Sequence, residues 1–126
     1  RRKGGATMGD TGQNLGNLSV WCSALTGFVA SDEPDLSTRQ LAILMNVYLR
    51  GGPHTVRGLA ETLNISKPAV SRALDALGSK GLTRRLRDEE DRRNVLVQRT
   101  DAGVAFLSAF ADLVRAAEED DRRSYG

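Results

Sequence analysis

Residues 55–82 read TVRGLAETLNISKPAVSRALDALGSKGL, and the punctuation inside this stretch decides the fold. Thr55 is a good N-cap, and Val56, Leu59, Ala60 and Leu63 follow it at helical spacing. Asn64 and Ile65 interrupt that pattern as a tight turn. Ser66 then caps a second helix, with Pro68 in its first turn, where a missing amide hydrogen removes no intrahelical bond. Val70, Ala73, Leu74 and Leu77 face inward, Lys67, Pro68, Ser71, Arg72 and Asp75 face the other way, and Gly81 ends the helix. Small Ala60 allows the two helices to cross closely and Ile65 plugs the turn, which makes a helix-turn-helix. In that motif the second helix enters a major groove with its N-terminal end first. Here that end presents Ser66, Lys67, Pro68, Ser71 and Arg72: short hydroxyls, two cations, and a helix dipole that favours phosphate.

Downstream, LTRRL (82–86) and VLVQR (95–99) are strand-like, and the polar RDEEDRRNV (87–95) lies between them. They read as a β-hairpin with a long tip. A basic hairpin directly after a helix-turn-helix makes a winged helix, whose wing tip reaches the flanking minor groove. The net charge is only +2, but residues 57–100 hold ten Lys or Arg against six Asp or Glu. A surplus of that size alone describes a solvated face; its meaning depends on where the fold places it.

Upstream, Ser37 with Gln40 forms a capping box opening STRQLAILMNVYLR (37–50), which Gly51, Gly52 and Pro53 stop. Its apolar positions, Leu41, Ile43, Leu44, Met45, Val47, Tyr48 and Leu49, run nearly all the way round and predict a helix at the centre of the core. Earlier still, Leu15, Leu18, Cys22, Leu25 and Val29 form a helical stripe over 14–31, widened by Trp21 and Phe28. At the other end Thr100 caps a helix over 101–120 that is apolar on more than one face. One small domain covers only one such face, so the two terminal helices are expected to dimerise through Leu15, Leu18, Val104, Leu107, Phe110 and Val114. The fold class is mainly α with a small β-hairpin wing. A single domain is expected over 14–120, with its DNA-binding part at 36–100, a disordered tail at 1–13 and a frayed one at 121–126.

Cys22 is the only cysteine and His54 the only histidine, so one chain assembles neither a disulfide nor a Cys/His zinc site, and no metal or cofactor is expected. The chain lacks an apolar run near the roughly 18 residues that span a bilayer, and its first dozen residues lack the apolar middle of a signal peptide. A cytoplasmic protein without membrane partners is the expectation. There is no glycine-rich phosphate loop and no His or Cys dyad, which argues against an enzyme.

The segment RGLAETLNISKPAVSRALDALGSKGLTRRLRDEEDRRNVLVQRTDAG (57–103) resembles the MarR family of bacterial transcription regulators, and the resemblance runs from about Leu36 to about Val114. The wing carries its specific marks. The family's D-x-R, followed after a short strand by L-T-x-x-G, is matched by Asp91, Arg93, Thr100 and Gly103, with Arg99 at the leucine position. The resemblance implies a winged-helix homodimer, a repressor bound to double-stranded DNA at a pseudo-palindromic operator. It implies that Arg93 enters the minor groove and that Asp91 holds that side chain in place. Arg84, Arg85, Arg87 and Arg92 are then placed for phosphates. Asp88, Glu89 and Glu90 read either as solvated loop residues that also weaken indiscriminate attraction to DNA or as an exposed turn in which those three have no role.

The family continues after the wing with two helices, where this sequence offers 26 residues beyond Thr100. A small-molecule effector site between the dimerisation helices and the winged helix is a further implication, with Trp21, Phe28 and Tyr48 serving either pocket or core. Cys22 has two readings as well. One branch of the family senses hydroperoxides through a first-helix cysteine, but an apolar stripe with no neighbouring cation suits an inert buried thiol. A winged helix that binds protein instead of DNA is the alternative outside this class.

Overall fold

A computed structural model describes residues 15–125. Where the sequence reads as one domain, the contacts divide the chain into two compact units, one of residues 34–108 and one joining the segment up to Glu33 with residues from Ala109 onward. The elements are α1 (Ser19–Ala30), α2 (Thr38–Leu49), β1 (His54–Thr55), α3 (Val56–Leu63), α4 (Lys67–Ser79), β2 (Thr83–Arg87), β3 (Val95–Arg99) and α5 (Asp101–Tyr125), with a 3-10 turn at Gly16–Leu18 before α1.

The unit of residues 34–108 is a winged helix built on local caps. Ser37 Oγ accepts from the Gln40 amide at 3.1 Å, and Gln40 Oε1 accepts from the Ser37 amide at 3.0 Å. Thr55 and Ser66 cap α3 and α4 through the amides of Gly58 and Ala69. Asn64 stands in the left-handed region at φ 56°, which turns the chain between those two helices while the Ile65 amide donates to the Ala60 carbonyl. The largest fully buried side chains, Ile43, Leu44, Val47, Val70, Leu74 and Leu77, all come from α2 and α4. Burial of each contributes about 1.5–3 kcal/mol. The expectation that α2 is buried nearly all round fails at its end, where Leu49 is 73% exposed.

The sheet has three strands rather than the expected two, in the order β1-β3-β2, all antiparallel. His54 pairs with Val97 and Arg85 pairs with Val97 from the other side. Two features lock the wing to the helices. Tyr48 Oη donates to the Leu82 carbonyl at 2.7 Å and accepts from the Thr100 amide at 2.8 Å. Gly103 lies so close to that hydroxyl that a Cβ there would stand 1.8 Å from it. Arg99, the departure from L-T-x-x-G, donates from Nε to the Val47 carbonyl at 2.9 Å and covers the C-terminal end of α2, where a cation suits the helix dipole.

In the other unit, Phe28 of α1 meets Phe110 of α5 edge to face, with ring centroids 5.5 Å apart. Gly27 faces Leu113 with little room for a side chain, and Ser19 Oγ donates to Asp121 Oδ1 at 2.6 Å. The buried face of α1 is made by Ala24 and Phe28, and the stripe of Leu15, Leu18, Leu25 and Val29 is exposed. Two corrections belong here. Cys22, expected to be buried, is exposed on that helix. The frayed tail expected at 121–126 is helical through Tyr125, because Asp120 pairs with Arg123 one turn on and Arg122 and Arg123 suit the negative end of the dipole. The tail expected over 1–13 lies outside the described residues.

Candidate nucleic-acid interface

Helix α4 exposes Lys67, Pro68 and Arg72 along its first two turns, with Ser71 half-buried among them. The Ser66 hydroxyl oxygen is occupied with capping. One turn beyond Ser71, Asp75 forms an ion pair with Arg85 of β2. Arg85, expected as a phosphate contact, is therefore tied to the recognition helix and sets the wing against it.

Strand alternation separates the wing cations. Arg85 shares the sheet face of its partner Val97, which is buried, whereas Arg84 lies on the other face, with its Nη2 3.5 Å from Gln98 Oε1. Arg87 donates to the Arg92 carbonyl at the wing's stem. The tip is folded by its acids. Asp88 Oδ1 accepts from the Glu90 amide at 3.0 Å, so this acid shapes the turn. Asp91 Oδ1 accepts from both the amide and Nε of Arg93, each at 3.2 Å. The Arg93 side chain is 85% exposed and that of Asp91 41%, so the pair adds little stability. Its content is geometric: Arg93 Nε lies beside the carboxylate two residues before it.

A cleft of about 250 Å³ opens between α4 and the wing, lined by Val56, Arg57, Lys67, Ser71, Arg85, Arg93, Asn94 and Val95. It brings together Lys67, Ser71, Arg85 and Arg93 from the expected set and leaves Ser66, Pro68, Arg72, Arg84, Arg87 and Arg92 outside its lining. Asp91 is joined to that lining by its contact with Arg93. Arg57 was missed because it lies on the first helix of the motif, which sequence reasoning treats as scaffold; its signal was its place in the first turn after the Thr55 cap. Of the residues expected to dimerise, Leu15, Leu18 and Val104 are exposed and Leu107 and Val114 half-buried, while Phe110 is buried within the chain against Phe28. Among the described residues no group of three or more His, Cys, Asp or Glu is placed to hold a metal ion, and no helix is long and apolar enough to cross a membrane.

Residues 36–95 match the MarR family. Over 75 residues the chain is 35% identical to the HTH-type transcriptional regulator PecS of Dickeya dadantii (strain 3937), a match covering 58% of this chain and 45% of that regulator, so it spans less than half of this relative's length. Transcriptional regulator Tm0710 from Thermotoga maritima superposes with a TM-score of 0.72 at 20% identity, covering 90% of this chain and 78% of that one. The S. aureus MepR–DNA complex gives 0.67 at 22% identity, covering 91% of this chain and 87% of that one. At these identities the structural likeness shows the fold.

Proposed function

We propose that this chain, whose residues 36–95 match the MarR family, is a DNA-binding transcription regulator, a repressor that occupies a pseudo-palindromic operator as a homodimer. The observation that carries this reading is the cleft beside α4, where four cations converge and Arg93 is held by Asp91. A winged helix that binds protein would present apolar anchors on that face, and here only Val56 and Val95 are apolar. Likeness to S. aureus MepR, solved in complex with DNA, supports the same reading. The homodimer is supported by Leu15, Leu18, Trp21, Leu25 and Val29, whose exposure in one chain leaves an apolar surface that a second copy would cover. Two recognition helices about one turn of B-DNA apart would then enter successive major grooves on one face. The match to a family of transcription regulators leaves no catalytic role in this reading.

Asp91→Ala tests it. Removing a negative charge should tighten binding to every duplex if the acid acts only through its field. The orienting role predicts the reverse on an operator selected from a random pool, with non-specific binding level or raised. Uniform tightening would show that the pair has no part in recognition, and failure of the wild type to enrich any duplex would remove the DNA-binding reading altogether.

A further inference from the structure

A second cavity, of about 330 Å³, opens between the C-terminal end of α2 and helix α3, and it shares no residue with the cleft beside α4. The carbonyls at that end of α2 are already served. Val47 O accepts from Arg99 Nε, and Arg50 O accepts from His54 Nε2 at 2.9 Å and from Arg99 Nη2 at 3.4 Å. The Arg50 guanidinium is therefore not needed to finish the helix, and it has no acid or carbonyl partner among the described residues. His54 uses only one ring nitrogen. A carbonyl can only accept, so Nε2 carries the hydrogen and the neutral ring keeps a lone pair on Nδ1. Asn46 donates from Nδ2 to the Ala42 carbonyl at 2.9 Å, which leaves its Oδ1 as a second acceptor without a partner among the described residues. One cation and two neutral acceptors thus share a space with the buried Leu59 and with Pro53. Asn46 and Arg50 also border a wider, more open groove of about 530 Å³, where Met45 and the exposed Leu49 continue the apolar surface along α2. At Gly51 a Cβ would meet nothing within 4 Å and the backbone is not left-handed, so neither packing nor conformation requires glycine there; its effect is to leave the cavity open.

We propose that this cavity takes a free α-amino acid with an apolar side chain. The Arg50 guanidinium donates to its carboxylate, its ammonium donates to Asn46 Oδ1 and His54 Nδ1, and its side chain lies on Leu59 and Pro53 toward Met45 and Leu49. Other small ligands leave part of the set unanswered. A plain carboxylate or a phosphate brings acceptors to two acceptors, and a plain amine brings a cation to a cation. A zwitterion carried on one carbon answers both, and the volume stands at the small end of the roughly 300–1,000 Å³ that ligand pockets span. The site is independent of the DNA-binding reading and survives its failure.

The test is isothermal titration calorimetry of the full chain at two temperatures with L-leucine and three of its fragments: 4-methylpentanoate, which lacks the ammonium, 3-methylbutylamine, which lacks the carboxylate, and glycine, which lacks the side chain. L-Leucine should bind, and each fragment should bind at least about tenfold more weakly, the loss expected when one charge-assisted group or one buried apolar side chain is removed. Arg50→Met keeps the stem without the charge. It should bring L-leucine down to the level of 3-methylbutylamine while the amine itself binds as before or better. Gly51→Leu should fill the cavity and abolish binding with the melting temperature unchanged; if that variant melts lower, the fragment pattern of Arg50→Met decides. Binding of 4-methylpentanoate as tight as that of L-leucine would make this a site for simple carboxylates and overturn the proposal. L-Leucine binding untouched by both substitutions, or no heat from L-leucine at millimolar concentration at either temperature, overturns it as well.

Discussion

Replacing Gly103 by alanine should be costly, although a Gly→Ala change inside an ordinary helix gains up to about 1 kcal/mol. The added Cβ would stand 1.8 Å from Tyr48 Oη, 2.5 Å from Tyr48 Cζ and 2.6 Å from the Leu82 carbonyl oxygen. Two of those atoms belong to the hydrogen bond that joins α2 to the start of the wing, and the carbonyl is backbone, so neither swings aside freely. If the phenol retreats, it gives up its bonds to the Leu82 carbonyl and the Thr100 amide, each worth about 1 kcal/mol. Overpacking adds roughly 1–3 kcal/mol. Against the propensity gain, the net loss is about 2–4 kcal/mol, and a unit of this size should melt at least about 8 °C lower. Circular dichroism at about 222 nm follows the melt. Gly78→Ala is the matched control, since its Cβ would meet only the Thr83 carbonyl at an ordinary 3.8 Å, and it should be neutral or stabilising. A Gly103→Ala protein that melts within about 2 °C of wild type would refute the close packing of Tyr48 on this helix.

Thr83 is buried with its hydroxyl unpartnered, so Thr83→Val should stabilise by about 1 kcal/mol, seen as a raised urea midpoint; a loss would mean that the hydroxyl is satisfied in solution. Arg72→Ala should weaken operator binding by about 1–3 kcal/mol and flatten the preference at one base position if Arg72 reads a base edge, whereas an equal loss on all sequences would make it a phosphate contact. Leu25 is exposed on α1, so Leu25→Asp should halve the mass seen by light scattering without lowering helix content, and an unchanged mass would move the dimer interface off this helix.

What was legible in the sequence was what local chemistry writes. Ser37, Thr55, Ser66 and Thr100 each announce a helix start, and all four accept from the amide three residues on. Strand β1 was illegible because two residues carry no period, and only pairing with β3 makes His54–Thr55 a strand. On α1 the periodicity located an apolar stripe correctly but not what covers it. Hydrophobicity draws the eye to Leu15, Leu18 and Leu25, whereas close approach selects Ala24 and Gly27, small residues with little hydrophobic signal. The wing was legible through D-x-R, and the Asp91–Arg93 contact was what the resemblance carried by that motif implied. Arg57 and the Asp75–Arg85 tie were not, since both depend on segments meeting across the fold.

In the proposed function α4 and the wing tip together read duplex DNA. Hydroxyl-radical footprinting on an operator selected from a random pool tests it most directly. Two protected half-sites centred roughly 10 base pairs apart are expected, flanked by minor-groove protection that Arg93→Ala removes while the half-sites remain. Protection of a single uninterrupted stretch, or flanking protection unchanged by Arg93→Ala, would contradict it.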